Sequence, residues 1–170
     1  MYFQFSIDSL ILALFLGLLV FAAIKDVTTY RIPNNVTLAI ALLYPAHVLA
    51  SPASIDWLGG FIVGSGMLVI GSALFSGRII GGGDVKLMTA VTLWAGLGGI
   101  VDFVFVTALS GGALAVLMMS PLRHGLALAF ERAGNEQARD AVLEKQLPYG
   151  VAIAAGGLAV GVKALSFLQF

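Results

Sequence analysis

The sequence predicts an all-α, polytopic membrane protein, and three observations lead to this prediction. Hydrophobic residues make up 59% of the 170 residues and charged residues only 11%, and the mean hydropathy is +1.01. This composition supplies too little polar surface to cover a soluble globule of this size. Uncharged apolar stretches recur at the length that a helix needs to cross a hydrocarbon core of about 30 Å. Basic residues occur in alternate connections between these stretches, as expected for a chain that crosses a membrane several times.

Glycine, proline and charged residues divide the chain into about six apolar segments. The first has no basic region before it and other spans follow, so we interpret it as a retained helix rather than a cleaved signal. The second and fourth are short, and we expect them to be tilted, extended into a loop or shielded by neighbouring helices. Residues 1–170 therefore form a single membrane-embedded domain, with a partly helical cytoplasmic loop at 121–147. The predicted spans are 7–24, 35–49, 57–75, 84–97, 100–119 and 148–168.

The distribution of charge predicts the orientation of these spans. Three alternate connections carry nearly all the basic residues, and the opposite connections carry Asp8, Asp56 and Asp102. The positive-inside rule then places both termini in the periplasm and the three basic loops in the cytoplasm. Lys163 is the exception, and it lies near the end of the last span, where a lysine can extend to the interface. The residues of the basic loops are Lys25 and Arg31, then Arg78 and Lys86, then Arg123, Arg132, Arg139 and Lys145.

Several kinds of site lack support in the sequence. There is no cysteine, so disulfides, thiolate metal sites and cysteine nucleophiles are excluded. His47 and His124 stand apart from any ligand-like cluster, no His-Glu-x-x-His is present, and no serine has a Gly-x-Ser-Gly context. A formal net charge of zero does not indicate a nucleic-acid partner. We therefore predict neither a metal nor a cofactor.

Two aspartates, Asp26 and Asp84, are the strongest candidates for chemistry. Asp26 ends an outside-to-inside helix and Asp84 begins an inside-to-outside helix, so both are predicted at the same cytoplasmic depth. A carboxylate at a helix centre in the membrane costs about 2.5 to 3.5 kcal/mol, and less toward the ends, so its presence usually has a cause. For Asp26, beside Lys25, the alternative to a catalytic role is a carboxylate that is simply solvated at the membrane interface. For Asp84, which follows three glycines that permit unusual backbone conformations and close approach, the alternative is a helix N-cap.

The two aspartates stand in short motifs. Asp26 precedes Ile32-Pro33-Asn34 within 26–34, and 81–86 fits a Gly-x-Gly-Asp-x-Lys pattern. A third element opens the last span. Together these motifs resemble those of the type IV prepilin peptidases, which are intramembrane aspartyl proteases. The likeness covers nearly the whole chain and is greatest to the short CpaA/TadV-like branch that serves Flp-type pili. The motif residues besides the two aspartates are Gly81, Gly82, Gly83, Lys86, Ile32, Pro33, Asn34, Pro148, Tyr149 and Gly150.

The resemblance implies an endopeptidase of the bacterial inner membrane, with Asp26 and Asp84 as its catalytic pair. Its substrate would be a prepilin or pseudopilin with a short basic leader joined to a hydrophobic helix, cut near that junction after a glycine. Membrane lipid and the pilus assembly machinery are the other implied partners. Larger relatives carry a cysteine-paired cytoplasmic insertion associated with N-methylation, and its absence here argues against methyltransferase activity.

If folding brings the two carboxyls together, their repulsion should leave one protonated and one ionised. The ionised carboxyl would then activate a water, and the protonated one would donate to the scissile carbonyl.

The remaining motif residues each have two interpretations. Lys86 could stabilise an ionised aspartate or hold lipid phosphate. Pro33 suits the first turn of the second span, with Asn34 or Asn35 as its cap, which would make Ile32-Pro33-Asn34 chiefly architectural. Tyr149 and Gly150 could pack against the catalytic helices or admit the substrate.

Two further sequence patterns lie outside these motifs. Glu136, Asp140 and Glu144 form an acidic stripe at helical spacing that could attract a basic leader or simply be solvated. Glycine pairs four residues apart, at 60 and 64 and at 157 and 161, predict close helix contacts. At the level of function, the alternatives are a small proton-coupled transporter or channel, and a structural membrane subunit in which both aspartates are interfacial caps.

Overall fold

The computed structural model describes residues 7–51 and 54–167, and this part of the chain is helical without strands. Leu168, the predicted end of the last span, lies outside the described residues. The all-helical fold class is therefore confirmed. The helices are α1 (Ile7–Thr29), α2 (Asn34–Ala50), α3 (Trp57–Ser76), α4 (Gly82–Met119), α5 (Leu122–Arg132), α6 (Glu136–Leu143) and α7 (Tyr149–Phe167).

Four of these helices, α1, α3, α4 and α7, are long and apolar enough to cross a membrane. A helix satisfies its backbone hydrogen bonds internally, which a segment surrounded by lipid requires. The helix α1 continues past the predicted boundary at residue 24 and carries Asp26 near its end. The hydroxyls of Thr28 and Thr29 donate to the carbonyls of Ile24 and Lys25, both at 2.7 Å. These bonds give the two threonines internal partners and let the helix extend.

A break at Gly96 divides α4 into two halves. Its φ of 55° and ψ of −169° lie in a region that essentially only glycine adopts. Val91, before the break, packs against Gly157 of α7, while Phe103, after it, packs against the adjacent Gly156. Further along, Gly111 faces Ala152, so the second half of α4 runs antiparallel to α7. The chain therefore reverses near Gly96, as the predicted spans 84–97 and 100–119 require.

Four helices form a ring in which α1 contacts α2, α2 contacts α4, α4 contacts α7, and α7 contacts α1. The helix α3 packs on the outside of this ring against α4. Its buried face is made of glycines, with Gly64 against Leu93 and Gly71 against Val85. Glycine lets the two backbones approach closely, so α3 packs against α4 through positions that have no side chain.

Aromatic rings fill the middle of the ring of helices. Trp94 of α4 stacks on Phe15 of α1, with ring centroids 4.1 Å apart and planes at 12°. Its indole N–H donates to the carbonyl of Ile40 in α2 at 3.0 Å, which satisfies the polar atom of a partly buried ring. These contacts tie α1, α2 and α4 together.

Two ion pairs join helices at the end of the bundle away from Asp26. Asp8 of α1 is fully buried and pairs with His47 of α2, whose ring stacks on Trp94. His47 therefore has a polar partner that no local sequence pattern indicated, because Asp8 lies 39 positions away. Lys163 of α7 donates to Asp102 of α4 at 2.7 Å, so this lysine has a protein partner.

The loop 121–147 contains α5 and α6, which pack on each other. The helix α6 also packs against α1, and α5 packs against α4. Asn135 and Gln137 donate from their side-chain amides to the carbonyls of Thr28 and Thr29, at 3.0 and 2.9 Å. These carbonyls belong to the last turn of α1 and have no partner within the helix. The loop thus caps the helix end that carries Asp26.

Candidate active site

One cavity of about 440 Å³ lies where α1 ends and where α4 and α7 begin. It contains both candidate aspartates and parts of two of the three sequence motifs. Its lining residues are Asp26, Tyr30, Arg31, Ile32, Asn34, Gly81, Gly82, Gly83, Asp84, Gln146 and Leu147.

Asp26 is buried, with only 5% of its surface exposed. Its carboxyl faces the N-terminus of α7 and lies close to the backbone N–H groups of Gly150 and Val151. The first amides of a helix have no intrahelical acceptor and carry partial positive charge, so they suit a carboxylate. Its Oδ2 is buried and has no hydrogen-bond partner among the described residues. Such an oxygen is suited to accept a hydrogen bond or a proton from a molecule in the cavity.

Asp84 is the third residue of α4, since Gly81 occupies the N-cap position. The alternative interpretation, in which Asp84 is itself the N-cap, is therefore wrong. Its carboxyl instead lies near the backbone N–H of Gly81, at the position that the acidic residue of a capping box occupies. Asp84 is also close enough to Asp26 for their charges to interact. The structure thus brings the two aspartates to one site.

Two of the three glycines before Asp84 contribute by their size. Gly81 has an extended backbone, with φ −74° and ψ 145°, and neither Gly82 nor Gly83 has a positive φ. A β-carbon built on Gly81 would lie 2.9 Å from Oδ2 of Asp84, and one on Gly82 would lie 3.2 Å from Phe75, whereas one on Gly83 would make an ordinary contact with Ile32 at 3.5 Å. These glycines therefore allow neighbouring side chains to approach the backbone closely, and they do not adopt unusual backbone angles.

Lys86 and Asn34 meet across the cavity rim. The ammonium of Lys86 donates to Oδ1 of Asn34 at 2.9 Å. The expectation that Asn34 or Asn35 caps α2 is wrong, because Pro33 holds the N-cap position and no side chain makes the capping bond. Oδ1 of Asn35 accepts only from the next amide, that of Val36, at 3.1 Å. The side chain of Asn34 therefore does not cap α2, and it lines the cavity instead.

Gly150 is the residue of the third motif that lies closest to Asp26 and Ile32. A β-carbon at this position would lie 2.8 Å from both Cγ and Oδ2 of Asp26 and 2.8 Å from Ile32. Pro148 is buried directly ahead of α7, and Tyr149 is 44% exposed and does not line the cavity.

Tyr30, Arg31, Gln146 and Leu147 line the cavity but were not predicted as site residues. Tyr30 follows α1 with a φ of 49°, unusual for a residue with a side chain. Burial and the negative charge of Asp26 raise the pKa of Tyr30, so its phenol stays protonated. The position of Tyr30 between Asp26 and Ile32 could have identified it as a site residue. Gln146 and Leu147 precede Pro148, and nothing else in the sequence marked them. Among the described residues, no three His, Asp or Glu side chains cluster as metal ligands would.

The fold and the site together define a helical membrane protein whose two aspartates share a cavity at one end of the bundle. The sequence matches the type IV leader peptidase family over residues 13–116, which include both aspartates. The chain belongs to this family of aspartic peptidases, as the resemblance to prepilin peptidases predicted. The comparisons with curated proteins and with solved structures found no match.

Proposed function

We propose that the chain is an aspartic endopeptidase that removes the basic leader of Flp-like type IV prepilins or pseudopilins. The reaction takes place at the cytoplasmic face of the bacterial inner membrane, and the chain belongs to the short CpaA/TadV-like branch. One observation supports this most strongly. Asp26 and Asp84 line the same cavity, and Oδ2 of Asp26 is buried in the described structure without a partner.

In the proposed reaction, the ionised carboxyl of the pair takes a proton from a water whose oxygen attacks the scissile carbonyl carbon. The protonated carboxyl gives its proton to the carbonyl oxygen, and a tetrahedral diol forms. The newly protonated carboxyl then donates to the amide nitrogen as the C–N bond breaks. One diol hydroxyl returns its proton to the other carboxyl as the carbonyl re-forms, which restores the starting pair.

The surface of α6 supports a basic leader as the substrate segment beside the site. Glu136 and Asp140 are exposed on this helix, and Glu144 is exposed at its C-cap. Glu144 accepts at 2.9 Å from Gln146, which lines the cavity. Asp140 also pairs with Arg139 at 2.9 Å, so part of this charge is already neutralised. The leader therefore interacts mainly near Glu144.

Family membership favours the peptidase over a proton-coupled transporter. A transporter of the kind considered would place acids near mid-span, along an ion path. Asp26 lies in the last turn of α1 and Asp84 in the first turn of α4.

The test is co-expression with a prepilin from the same genome, comparing wild type with Asp26→Asn and Asp84→Asn. Each near-isosteric change removes a titrating group and should reduce cleavage by at least about 10³-fold, because neither carboxyl can replace the other. Asp102→Asn, at the other end of the bundle, is the control and should cleave as wild type does. Immunoblots report cleavage and the amount of protein in the membrane. Mass spectrometry of the product should show an unmethylated N-terminus.

Substantial cleavage by either Asp26→Asn or Asp84→Asn would reject the two-carboxylate mechanism.

A further inference from the structure

The bond between Lys86 and Asn34 fixes which way the asparagine amide points. A lysine ammonium can only donate, so the atom that faces it at 2.9 Å must be the amide oxygen. The NH₂ group of Asn34 is then on the opposite branch of the amide. In the described part of the chain the structure gives this nitrogen no acceptor of its own. Asn34 thus offers two free N–H donors.

These donors belong to a residue of the catalytic cavity. Asn34 lines the cavity together with Asp26 and Asp84. Its backbone is held by Pro33, with φ −64°, and by the hydroxyl of Thr37, which donates to the Asn34 carbonyl at 2.9 Å. Lys86 is in the same helical turn as Asp84, so the bond to Asn34 ties α2 directly to the helix start that carries one aspartate.

We infer that Asn34 donates a hydrogen bond from Nδ2 to the oxygen of the scissile carbonyl, and that Lys86 is the positioning residue that orients this amide. The inference rests on the proposed peptidase function and adds a second donor to the reaction. The carbonyl oxygen gains electron density as the tetrahedral diol forms, and a fixed donor stabilises that charge more than it stabilises the substrate. Without Lys86 the amide can rotate and present its oxygen to the carbonyl, which would repel it.

The first experiment removes the donor and keeps the acceptor. Purified wild type and Asn34→Asp are reconstituted in phosphatidylethanolamine and phosphatidylglycerol vesicles, with a prepilin from the same genome as substrate. Asn34→Asp still accepts from Lys86 but has no N–H, so kcat should fall by about 10²- to 10³-fold. KM should change by less than about threefold, because the donor acts in the transition state. Asn34→Ala, which adds no charge, carries the same expectation.

The matched control is Asn35→Asp, which introduces the same charge at the next residue. Asn35 is exposed and does not line the cavity. Its kcat should stay within about twofold of wild type.

The second experiment asks whether Lys86 acts through Asn34. Lys86→Met should lower kcat by about tenfold, and Lys86→Gln, which can still donate to Oδ1, should recover a large part of that loss. In the Asn34→Ala background, Lys86→Met should have no further effect, because residues that act as a unit are not additive. A lysine that acts by its charge on Asp84, or by binding lipid phosphate, would cost the same tenfold in both backgrounds.

The inference is overturned if Asn34→Asp or Asn34→Ala keeps kcat within threefold of wild type, or if the two substitutions are additive. The proposed function fails in a different way, through absence of cleavage by wild type or through cleavage by Asp84→Asn. Wild-type cleavage that needs Asp84 but not Asn34 would therefore reject only the inference. Thermal unfolding of each reconstituted variant identifies losses due to misfolding.

Discussion

The closeness of Gly150 to Asp26 explains why the third motif ends in glycine. Both polar contacts of the Asp26 carboxyl with backbone come from the first turn of α7. A β-carbon at 150 would come within 2.8 Å of that carboxyl and of Ile32. The helix N-terminus can approach the carboxyl only because this residue has no side chain.

Gly150→Ala should therefore lower cleavage by about 10²-fold, because a displacement of about 1 Å at a reacting group costs that much. Cleavage of the prepilin in reconstituted vesicles measures the effect.

The control is Gly17→Ala in α1, where a β-carbon would meet nothing within 4 Å. It should cleave as wild type does. Equal activity of the two alanine variants would contradict the proposed role of the α7 N-terminus.

At this scale, the sequence predicted some of the residues that line the cavity but not how they bond. Asp26, Asp84 and the glycines were recognisable from short motifs. The Lys86–Asn34 bond was not, because its partners are 52 positions apart and local pattern favoured a capping role for the asparagine. The Asp8–His47 pair was missed for the same reason. Contacts between side chains distant in sequence depend on helix packing, which no local motif encodes.

The reversal in α4 is the element whose position the sequence predicted least well. The predicted break lay between residues 97 and 100, at Gly98 and Gly99, whereas the structure places it at Gly96. All three glycines have similar local propensity for a turn. Tertiary packing selects Gly96, whose backbone passes close to that of Gly60, with a built β-carbon 3.8 Å from the Gly60 nitrogen.

Gly96→Ala should lower the free energy of unfolding by about 1 to 3 kcal/mol, because a side chain strains this backbone conformation. Unfolding in mild detergent, followed by circular dichroism, measures the change.

Gly98→Ala is the matched control two residues away. This residue is helical, and a β-carbon there would meet nothing within 4 Å. Alanine should be neutral or stabilise the protein by up to about 1 kcal/mol. The assignment of the turn to Gly96 fails if Gly98→Ala is the more damaging change.

Across the whole molecule, charged residues are segregated between the two ends of the bundle. The cavity with its aspartates, and most of the basic residues, lie at one end. The Asp8–His47 and Asp102–Lys163 pairs lie at the other. Composition and charge spacing were enough to predict this arrangement, because a bilayer imposes it on any helical chain. Whether the cavity end faces the cytoplasm stays a prediction.

Single cysteines can test that orientation, since the chain has none of its own. Ser76→Cys, at the end of α3 nearest the cavity, should react with an impermeant thiol reagent only when the cytoplasmic side is accessible. Ser54→Cys, before α3, should react in intact spheroplasts. Both serines are exposed, so each cysteine is within reach of the reagent.

The reverse pattern of labelling would place the cavity in the periplasm and contradict the proposed site of cleavage.

The unequal halves of α4 have a consequence for the surrounding bilayer. At about 1.5 Å per residue, the half before Gly96 is about 21 Å long and the half after it about 34 Å. Both halves start from the turn at Gly96, so the Gly82 end of the short half does not extend as far along the bundle as the Met119 end of the long half. A hydrocarbon layer about 30 Å thick extends beyond its Gly82 end. The lipid must thin here, or water must reach down to Asp84, so either response brings the two aspartates into contact with the aqueous phase at this end of the bundle.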